Sequence, residues 1–334
     1  MKDDRTPLAE TSRVTMIARC QRGDRDAQRQ LYESCRPKTY RLMVRMVGID
    51  QGELGSRTGP FRTDEFRYLA EAVNSMSASL AEVERRRRAE MAYARHIQEQ
   101  LLPGEVAVGG LQFAHLYRPA DDVAGDYYDI LPLHDGGWLD CIADVTGHGV
   151  AAALSATMLK AFLQEATEHH ADPSRILRFV NHRLAVACRT ENFASMVVVR
   201  WDLSSRRLQY ASAGHESGLL LTAEGRLTEL PSTGLLLGIV AEAEWQTRTF
   251  PAGPGDRLLL ATDGVTEAMD ARQQLFGRER LAAQWQAGRK LPLGEAVDRI
   301  AQPLDEQTAD GPTSDDVTLP ALEIGRGRDQ GGRS

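Results

Sequence analysis

The sequence predicts an α+β fold in which antiparallel strands pack beside helices. Three strand-like stretches, "FASMVVVRWDL", "RRLQYASAG" and "SGLLLTAEGRLTEL", follow one another with only short turns between them. Strands joined by such turns pair antiparallel. Two helix-like segments, 149–166 and 172–189, precede them. Paired helices beside an antiparallel sheet indicate a layered α+β domain.

The individual elements have recognisable signals. "WLDCIADV" reads as a strand, and the "AEG" at 223–225 reads as the tip of a hairpin. The helix at 149–166 is expected to be buried, with one face formed by Val150, Leu154, Met158 and Phe162. The helix at 172–189 begins with Asp172 as its N-cap and Pro173 at its first position. Its inward positions are predicted to be Ile176, Leu177, Val180 and Leu184.

Composition narrows the class of protein. The chain has 334 residues, 42% of them apolar, and a formal net charge of −7, which argues against nucleic acid as a partner. Residues 1–95 hold 19 basic and 14 acidic side chains, whereas the remainder holds 21 and 33, so only the first part is basic. Four cysteines without a CxxC pair indicate a reducing compartment. With neither a signal peptide nor a membrane-spanning segment in the sequence, we expect a cytoplasmic protein.

The chain divides into four predicted parts. Residues 1–60 form a polar helical segment, 61–101 a signalling helix, 102–325 the α+β domain and 326–334 a disordered tail. The signalling helix carries an apolar seam with alternating spacings of three and four residues, which is typical of a two-stranded coiled coil. The alternative is an amphipathic helix on its own domain. The seam consists of Phe66, Leu69, Val73, Met76, Leu80 and Val83.

Four aspartates stand where apolar strands meet turns. Asp144 and Asp263 end apolar runs and precede glycines, Asp126 follows a glycine, and Asp315 precedes the short strand "VTL". An Asp–Gly pair alone is more often a turn than a ligand. Four carboxylates brought together would repel one another unless cations neutralised them, and oxygen ligands suit Mg²⁺ or Mn²⁺. The sequence offers no histidine–cysteine set for zinc.

Residues 96–324 resemble the SpoIIE-type serine/threonine phosphatases, a bacterial branch of the metal-dependent PPM (PP2C-like) family. The resemblance rests on "IQEQLLP", "RPADDVAGDYYD", "IADVTGHGVAAAL", "FASMVVVRWD", "LQYASAGHESGLLL", "GLLLGI", "LLLATDGVTEA" and "SDDVTL", which occur in the family's order. It implies a sandwich of two antiparallel β-sheets flanked by helices, with two Mn²⁺ or Mg²⁺ ions at the rim. The implied reaction is hydrolysis of phosphoserine or phosphothreonine by a metal-bound water.

The resemblance also implies roles for individual residues. Asp144 would bridge both metals and would be the catalytic residue. Asp263 and Asp315 would hold one ion, and Asp126 with the backbone carbonyl of Val145 would hold the other. The sequence departs from the family's "VGGD" at Ala124, where a methyl group would shift the loop slightly.

Other polar residues near the aspartates have weaker signals. His148 is a candidate general acid for the leaving oxygen, and the alternative is that it orders the "GHG" turn at the start of the helix. Asp129 and Asp316 are candidates for orienting water molecules around the metals. Thr146, Asn181 and His215 are expected to be structural.

The first hundred residues resemble parts of other signalling proteins. Residues 16–48 resemble the opening helices of region 2 of extracytoplasmic-function sigma factors, with a plain helical hairpin as the alternative. Residues 64–80 resemble the second helix of a HAMP module. The phosphatase resemblance implies a phosphorylated STAS-domain anti-sigma-factor antagonist as substrate. The apolar seam predicts a second copy of the chain as a partner, bound through 64–101. The alternative function is a non-catalytic protein that binds sigma-factor regulators.

Overall fold

The computed structural model describes residues 18–30, 33, 64–104, 110–187, 193–308 and 315–325. The chain divides into two compact units, 1–90 and 91–334. Most of the sigma-like segment 16–48 and the whole predicted tail 326–334 lie outside the described residues, so those predictions remain predictions. The domain boundaries predicted from the sequence are likewise untested.

The first unit contains helical turns at 18–21 and 25–30 and most of the long helix α1 (Asp64–Leu101). Asp24 caps the second turn, because its Oδ1 accepts hydrogen bonds from the backbone N–H groups of Asp26 and Ala27. The arginine run 85–88 is exposed and pairs with Glu82 and Glu84 on the same helix. Such pairs are typical of a solvated helix face.

The described residues of the second unit form ten strands in two five-stranded sheets, and all of these strand pairs are antiparallel. Sheet I has the order β1-β10-β9-β6-β7, and sheet II has the order β2-β3-β4-β5-β8. The strands are β1 (Leu111–Arg118), β2 (Tyr127–Pro132), β3 (Trp138–Val145), β4 (Ala194–Asp202), β5 (Arg207–Ala213), β6 (Gly218–Leu221), β7 (Leu227–Leu230), β8 (Arg248–Pro251), β9 (Arg257–Leu259) and β10 (Val317–Ile324).

Helices cover both outer faces. The helices are α2 (Gly149–His169), α3 (Pro173–Ala187), the single turn α4 (Asp263–Thr266), α5 (Arg278–Ala287) and α6 (Leu293–Thr308), with a 3₁₀ turn at Gly288–Lys290. One core lies between α2, α3 and sheet II, a second between the two sheets, and a third between sheet I and α5 with α6. The predicted two-sheet sandwich flanked by helices is therefore confirmed.

Most predicted elements are present. The strand "WLDCIADV" is β3, the "AEG" turn joins β6 to β7, and Asp172 caps α3 by accepting a hydrogen bond from the backbone N–H of Arg175 at 3.1 Å. The inward face of α3 is buried as expected, at Ile176, Leu177, Val180 and Leu184.

The predicted face of α2 is only partly correct, because Phe162 packs against the core but the first part of this face is exposed. Val150 is 47% exposed and Leu154 62% exposed. The buried face is instead formed mainly by small residues, which allow the helix to approach sheet II closely. Its members are Ala152, Ala153, Ser155, Ala156, Leu159, Leu163 and Ala166.

None of the helices in the described part of the chain combines the length and apolar composition that crossing a bilayer requires.

Candidate metal centre

Asp144 lies near the end of β3, opposite Ser195 of β4. The chain leaves β3 after Val145 and enters α2 at Gly149. Gly147 has a φ of 98°, a conformation that side chains with a Cβ rarely adopt. This glycine-dependent turn follows Asp144 directly, so the strand holds the carboxylate at the rim of the sheet.

Asp126 lies in the loop between β1 and β2 and is only 2% exposed. The hydroxyl of Thr262 donates a hydrogen bond to its Oδ2 at 2.9 Å. A Cβ on Gly125 would lie 3.0 Å from the carbonyl oxygen of Val145, so the glycine lets the two backbones approach. The predicted backbone ligand, Val145, therefore lies beside the loop that carries Asp126.

Asp263 and Asp315 meet on sheet I. Asp263 begins α4 just after β9, and Asp315 precedes β10, the strand paired with β9. A Cβ on Gly264 would lie 2.0 Å from the carbonyl oxygen of Asp316. Only glycine permits this approach, which brings the turn carrying Asp263 against the 315–316 backbone.

The four carboxylates influence one another electrostatically. Burial, followed by the charges of Asp263, Asp315 and Asp316, raises the pKa of Asp144 to about 7. Burial is also the main cause that raises the pKa of Asp126, and the charge of Asp144 adds to it. The pKa of Asp263 is raised by burial and then by Asp315. The structure thus concentrates negative charge at one rim.

The donor chemistry of this rim fits hard divalent cations, since its side-chain donors are all carboxylate oxygens. Among the described residues, however, no three histidine, cysteine, aspartate or glutamate side chains form a group that could by itself hold a metal ion. The two observations are compatible, because Mg²⁺ is usually bound through one or two carboxylates and keeps several waters. The rim has the charge and the oxygen donors for such ions without a closed protein cage.

Asp316 holds the Asp126 loop in place. Its carboxylate accepts hydrogen bonds from the backbone N–H groups of Ala120 at 2.8 Å and Gly125 at 2.7 Å. It was expected to orient waters, and its observed contacts are with the backbone of this loop. Ala124, the departure from the family pattern, lies in the same loop and is fully buried.

Asp129 is engaged on the helix-covered side of sheet II. Its Oδ2 accepts hydrogen bonds from Lys160 Nζ at 2.6 Å and from the Tyr127 hydroxyl at 2.7 Å. Tyr127 belongs to the core between sheet II and its helices. Through these contacts Asp129 links β2 to α2.

His148 lies at the N-cap position of α2, and its side chain is 92% exposed. Its Nδ1 lies 3.3 Å from Oδ2 of Asp121, in the loop that also carries Asp126. The side chain makes no capping hydrogen bond to the helix. The structure therefore places the imidazole near the rim, in solvent, and does not test its proposed role as an acid.

Three residues that were expected to be structural have contacts of that kind. Thr146 donates to the carbonyl of Phe193 at 3.0 Å, and the amide of Asn181 donates to the carbonyl of Val240 at 2.9 Å. The His215 ring is buried beside the Ser195 hydroxyl, and burial lowers its pKa to about 4, which keeps it neutral near pH 7.

Two residues that hold Asp126 or its loop were not predicted from the sequence. One is Thr262, the partner of Asp126. The other is Gln98 of α1, which donates to the carbonyl of Ala124 at 2.7 Å and accepts from its N–H at 3.0 Å. Both stand inside quoted blocks, Gln98 in "IQEQLLP" and Thr262 in "LLLATDGVTEA". Their place in segments that resemble the family was the signal by which Gln98 and Thr262 could have been found.

A family model described as "Stage II sporulation protein E (SpoIIE)" matches residues 134–325. Among curated proteins, Protein IcfG of Synechocystis sp. is 26% identical over 306 residues, covering 83% of this chain and 48% of its own length. Phosphoserine phosphatase RsbU of Bacillus subtilis is 29% identical over 182 residues, covering 54% of each protein. The chain thus spans about half the length of these curated relatives.

Solved structures share the fold. The SiaA-PP2C domain of Pseudomonas aeruginosa superposes with a TM-score of 0.66 at 24% identity, covering 74% of this chain and 99% of the domain. The RsbU and RsbW domains of Rv1364c from Mycobacterium tuberculosis give a TM-score of 0.55 at 26% identity, covering 65% and 60%.

Proposed function

Because the chain belongs to the family of Stage II sporulation protein E (SpoIIE), we propose that it is a metal-dependent protein serine/threonine phosphatase of the PPM type. The observation that carries the proposal is the electrostatic coupling of Asp144, on sheet II, to Asp263 and Asp315, which both lie at the edge of sheet I. The relative RsbU is named a phosphoserine phosphatase, which supports the same reaction class.

Five groups would hold two Mn²⁺ or Mg²⁺ ions: the carboxylates of Asp126, Asp144, Asp263 and Asp315 and the carbonyl of Val145. Bound there, the ions would supply an activated water and neutralise the phosphoryl oxygens. Asp144, which is influenced by the charges of both Asp263 and Asp315, would contribute to holding both ions. The neighbouring aspartates need such cations, because each otherwise raises the pKa of the next.

The protein's own residues arrange this rim. Thr262 hydrogen-bonds to the carboxylate of Asp126. Asp316 holds the loop that precedes Asp126 by accepting hydrogen bonds from the backbone N–H groups of Ala120 and Gly125. Such outer partners typically change metal affinity or activity about 10–100-fold when removed.

His148 is proposed to protonate the leaving serine or threonine oxygen. Its imidazole is exposed and lies beside Asp121, so a protein substrate could reach it. Replacing His148 with alanine should remove the alkaline limb of the pH–rate profile, and an unchanged profile would rule out this role.

The proposed substrate is a phosphorylated STAS-domain antagonist of an anti-sigma factor, as the family resemblance implies. One matched structure contains an RsbU domain together with an RsbW domain, which supports a setting among regulators of this type. Mixing the chain with candidate phosphorylated STAS proteins and following loss of phosphate tests the assignment. Equal rates on unrelated phosphoproteins would contradict it.

A homodimer through α1 is also proposed. Met76, Leu80 and Val83 of the apolar seam are 47%, 42% and 64% exposed, so this stretch offers an apolar stripe to a second copy. Val73, by contrast, is buried within the chain's own fold.

Hydrolysis of p-nitrophenyl phosphate, with and without metal, tests the reaction class. Activity should be absent in excess EDTA and should return when Mn²⁺ or Mg²⁺ is restored. Full activity in EDTA would contradict metal dependence. A folded protein without activity under any of these conditions would favour the alternative, a non-catalytic protein that binds sigma-factor regulators.

A further inference from the structure

A cleft of about 590 Å³ lies at the rim of sheet I opposite the aspartates. Glu323, near the end of β10, and Arg257, at the start of β9, both line it. The opposite end of β10 follows Asp315, and the chain continues from β9 towards Asp263, so the cleft and the metal centre occupy opposite ends of the same strands. We propose that this cleft binds a small organic phosphate.

The floor of the cleft is rigid. Arg257 is 6% exposed, and its Nη2 contacts Glu323 Oε2 at 2.7 Å and the carbonyl of Leu291 at 2.6 Å. Its Nη1 donates to the carbonyl of Gly288 at 3.1 Å. These contacts fix both ends of the 288–291 backbone, so the two residues between them are presented from a fixed support.

Those two residues are cations. Within the described part of the chain, the guanidinium of Arg289 makes one hydrogen bond, from Nη1 to the carbonyl of Glu224 at 3.1 Å. Lys290 is exposed, and the described residues give it no partner. A guanidinium beside an ammonium is a common arrangement for binding phosphate oxygens.

The local charge favours an anion. Arg257, Arg289 and Lys290 line the cleft against two carboxylates, Glu224 and Glu323, in a chain whose net charge is −7. Since Arg257 and Glu323 neutralise each other, Arg289 and Lys290 face only Glu224. The lining of the cleft therefore carries a net positive charge at Arg289 and Lys290.

The cleft also has room for an organic body. Its volume falls within the range of about 300–1,000 Å³ that is usual for small-molecule sites. Leu291 and Pro292 provide apolar wall next to the cations, and Gln112 and Thr222 provide hydrogen-bonding groups. In a bound ligand, the phosphate would contact Arg289 and Lys290. The uncharged organic part would pack against Leu291 and Pro292.

Calorimetric titration of the full chain in EDTA tests the site, with adenosine 5′-monophosphate and inorganic phosphate as probes. The nucleotide should bind saturably and more tightly than phosphate. The double change Arg289→Gln with Lys290→Gln should weaken nucleotide binding at least about tenfold, because both charges are lost. The single change Lys290→Glu, at a residue with no partner in the described part of the chain, should do the same if the double variant is unstable.

Two controls separate this cleft from the metal centre. Arg299→Gln removes an exposed cation of α6 that does not line the cleft, and it should leave binding unchanged. Asp144→Asn should also leave binding unchanged. Loss of binding in Asp144→Asn with retention in the double variant would overturn the proposal, as would the absence of saturable binding. Equal affinity for the two probes would overturn the organic part of the ligand.

Discussion

Asp144 has the most perturbed environment of the accessible carboxylates at the rim. Burial and the charges of Asp263, Asp315 and Asp316 raise its pKa from 3.8 to about 7. In the metal-free protein at neutral pH, an ionised carboxylate at this strand end therefore lowers the stability of the fold. The same concentration of negative charge favours the binding of divalent cations. The loss of stability without metal and the affinity for metal therefore have the same cause.

This perturbation predicts how the stability of the metal-free protein depends on pH. Between about pH 4 and pH 7, folded Asp144 holds a proton that the unfolded chain has released. The free energy of unfolding should therefore fall as the pH rises through this window. Asp144→Asn removes the titrating group, so this variant should lose less stability over the same range.

Thermal unfolding in EDTA at a series of pH values measures the effect. Asp202→Asn is a suitable control, because Asp202 lies at the end of β4, away from the rim aspartates, and hydrogen bonds from Ser204 and Ser205 lower its pKa. Wild type and Asp202→Asn should lose stability in parallel between about pH 4 and pH 7. The assignment would be contradicted if Asp144→Asn followed the same curve as wild type.

At the scale of elements, the end of α1 is attached to the loop that carries Asp126. Gln98 makes two hydrogen bonds to the backbone of Ala124, two residues before Asp126. Asp316 and Thr262 hold the same loop from sheet I. The position of this aspartate therefore depends on the helix as well as on the sheets.

Gln98→Ala should weaken metal binding and activity together. It leaves both backbone groups of Ala124 without their partner, at a cost of about 1–3 kcal/mol for each buried group. The Mn²⁺ concentration for half-maximal activity should rise. Gln100→Ala is the matched control, since Gln100 is exposed on the same helix and its side-chain hydrogen bond, among the described residues, is to the His96 ring. Equal behaviour of the two variants would show that the attachment does not position Asp126.

The elements themselves were largely predictable from the sequence, because strand alternation and cap residues are local signals. The α3 face was predicted correctly, since its apolar residues occupy one stripe. The α2 face was predicted only in part, because alanines and large apolar residues occur all around that helix. There the close approach to sheet II selects the small residues, which local periodicity does not reveal.

The site was predictable to a similar extent. Asp126, Asp144, Asp263 and Asp315 were recognisable because each stands at a strand or glycine boundary. Gln98 and Thr262 were not, because their partners lie 26 and 136 residues away in the chain. Hydrogen bonds across such separations depend on the tertiary arrangement, which no local pattern records.

At the scale of the whole molecule, the exposed part of the apolar seam predicts a dimer. Introducing Met76→Glu with Leu80→Glu places charges on the stripe and should yield monomers. Ser75→Glu adds a charge elsewhere on the same exposed helix and should leave the dimer intact. Light scattering on these variants, and on a chain beginning near residue 96, measures the mass. A monomeric wild-type protein would contradict the proposed pairing.

The central claim, that four aspartates hold two divalent cations, is tested most directly by calorimetric titration of Mn²⁺ into the full chain. Wild type and Asp202→Asn should each bind two ions per chain. Asp144→Asn should lose this binding while its circular dichroism spectrum stays that of a folded protein. Mn²⁺ binding by Asp144→Asn with the stoichiometry and affinity of wild type would contradict the account.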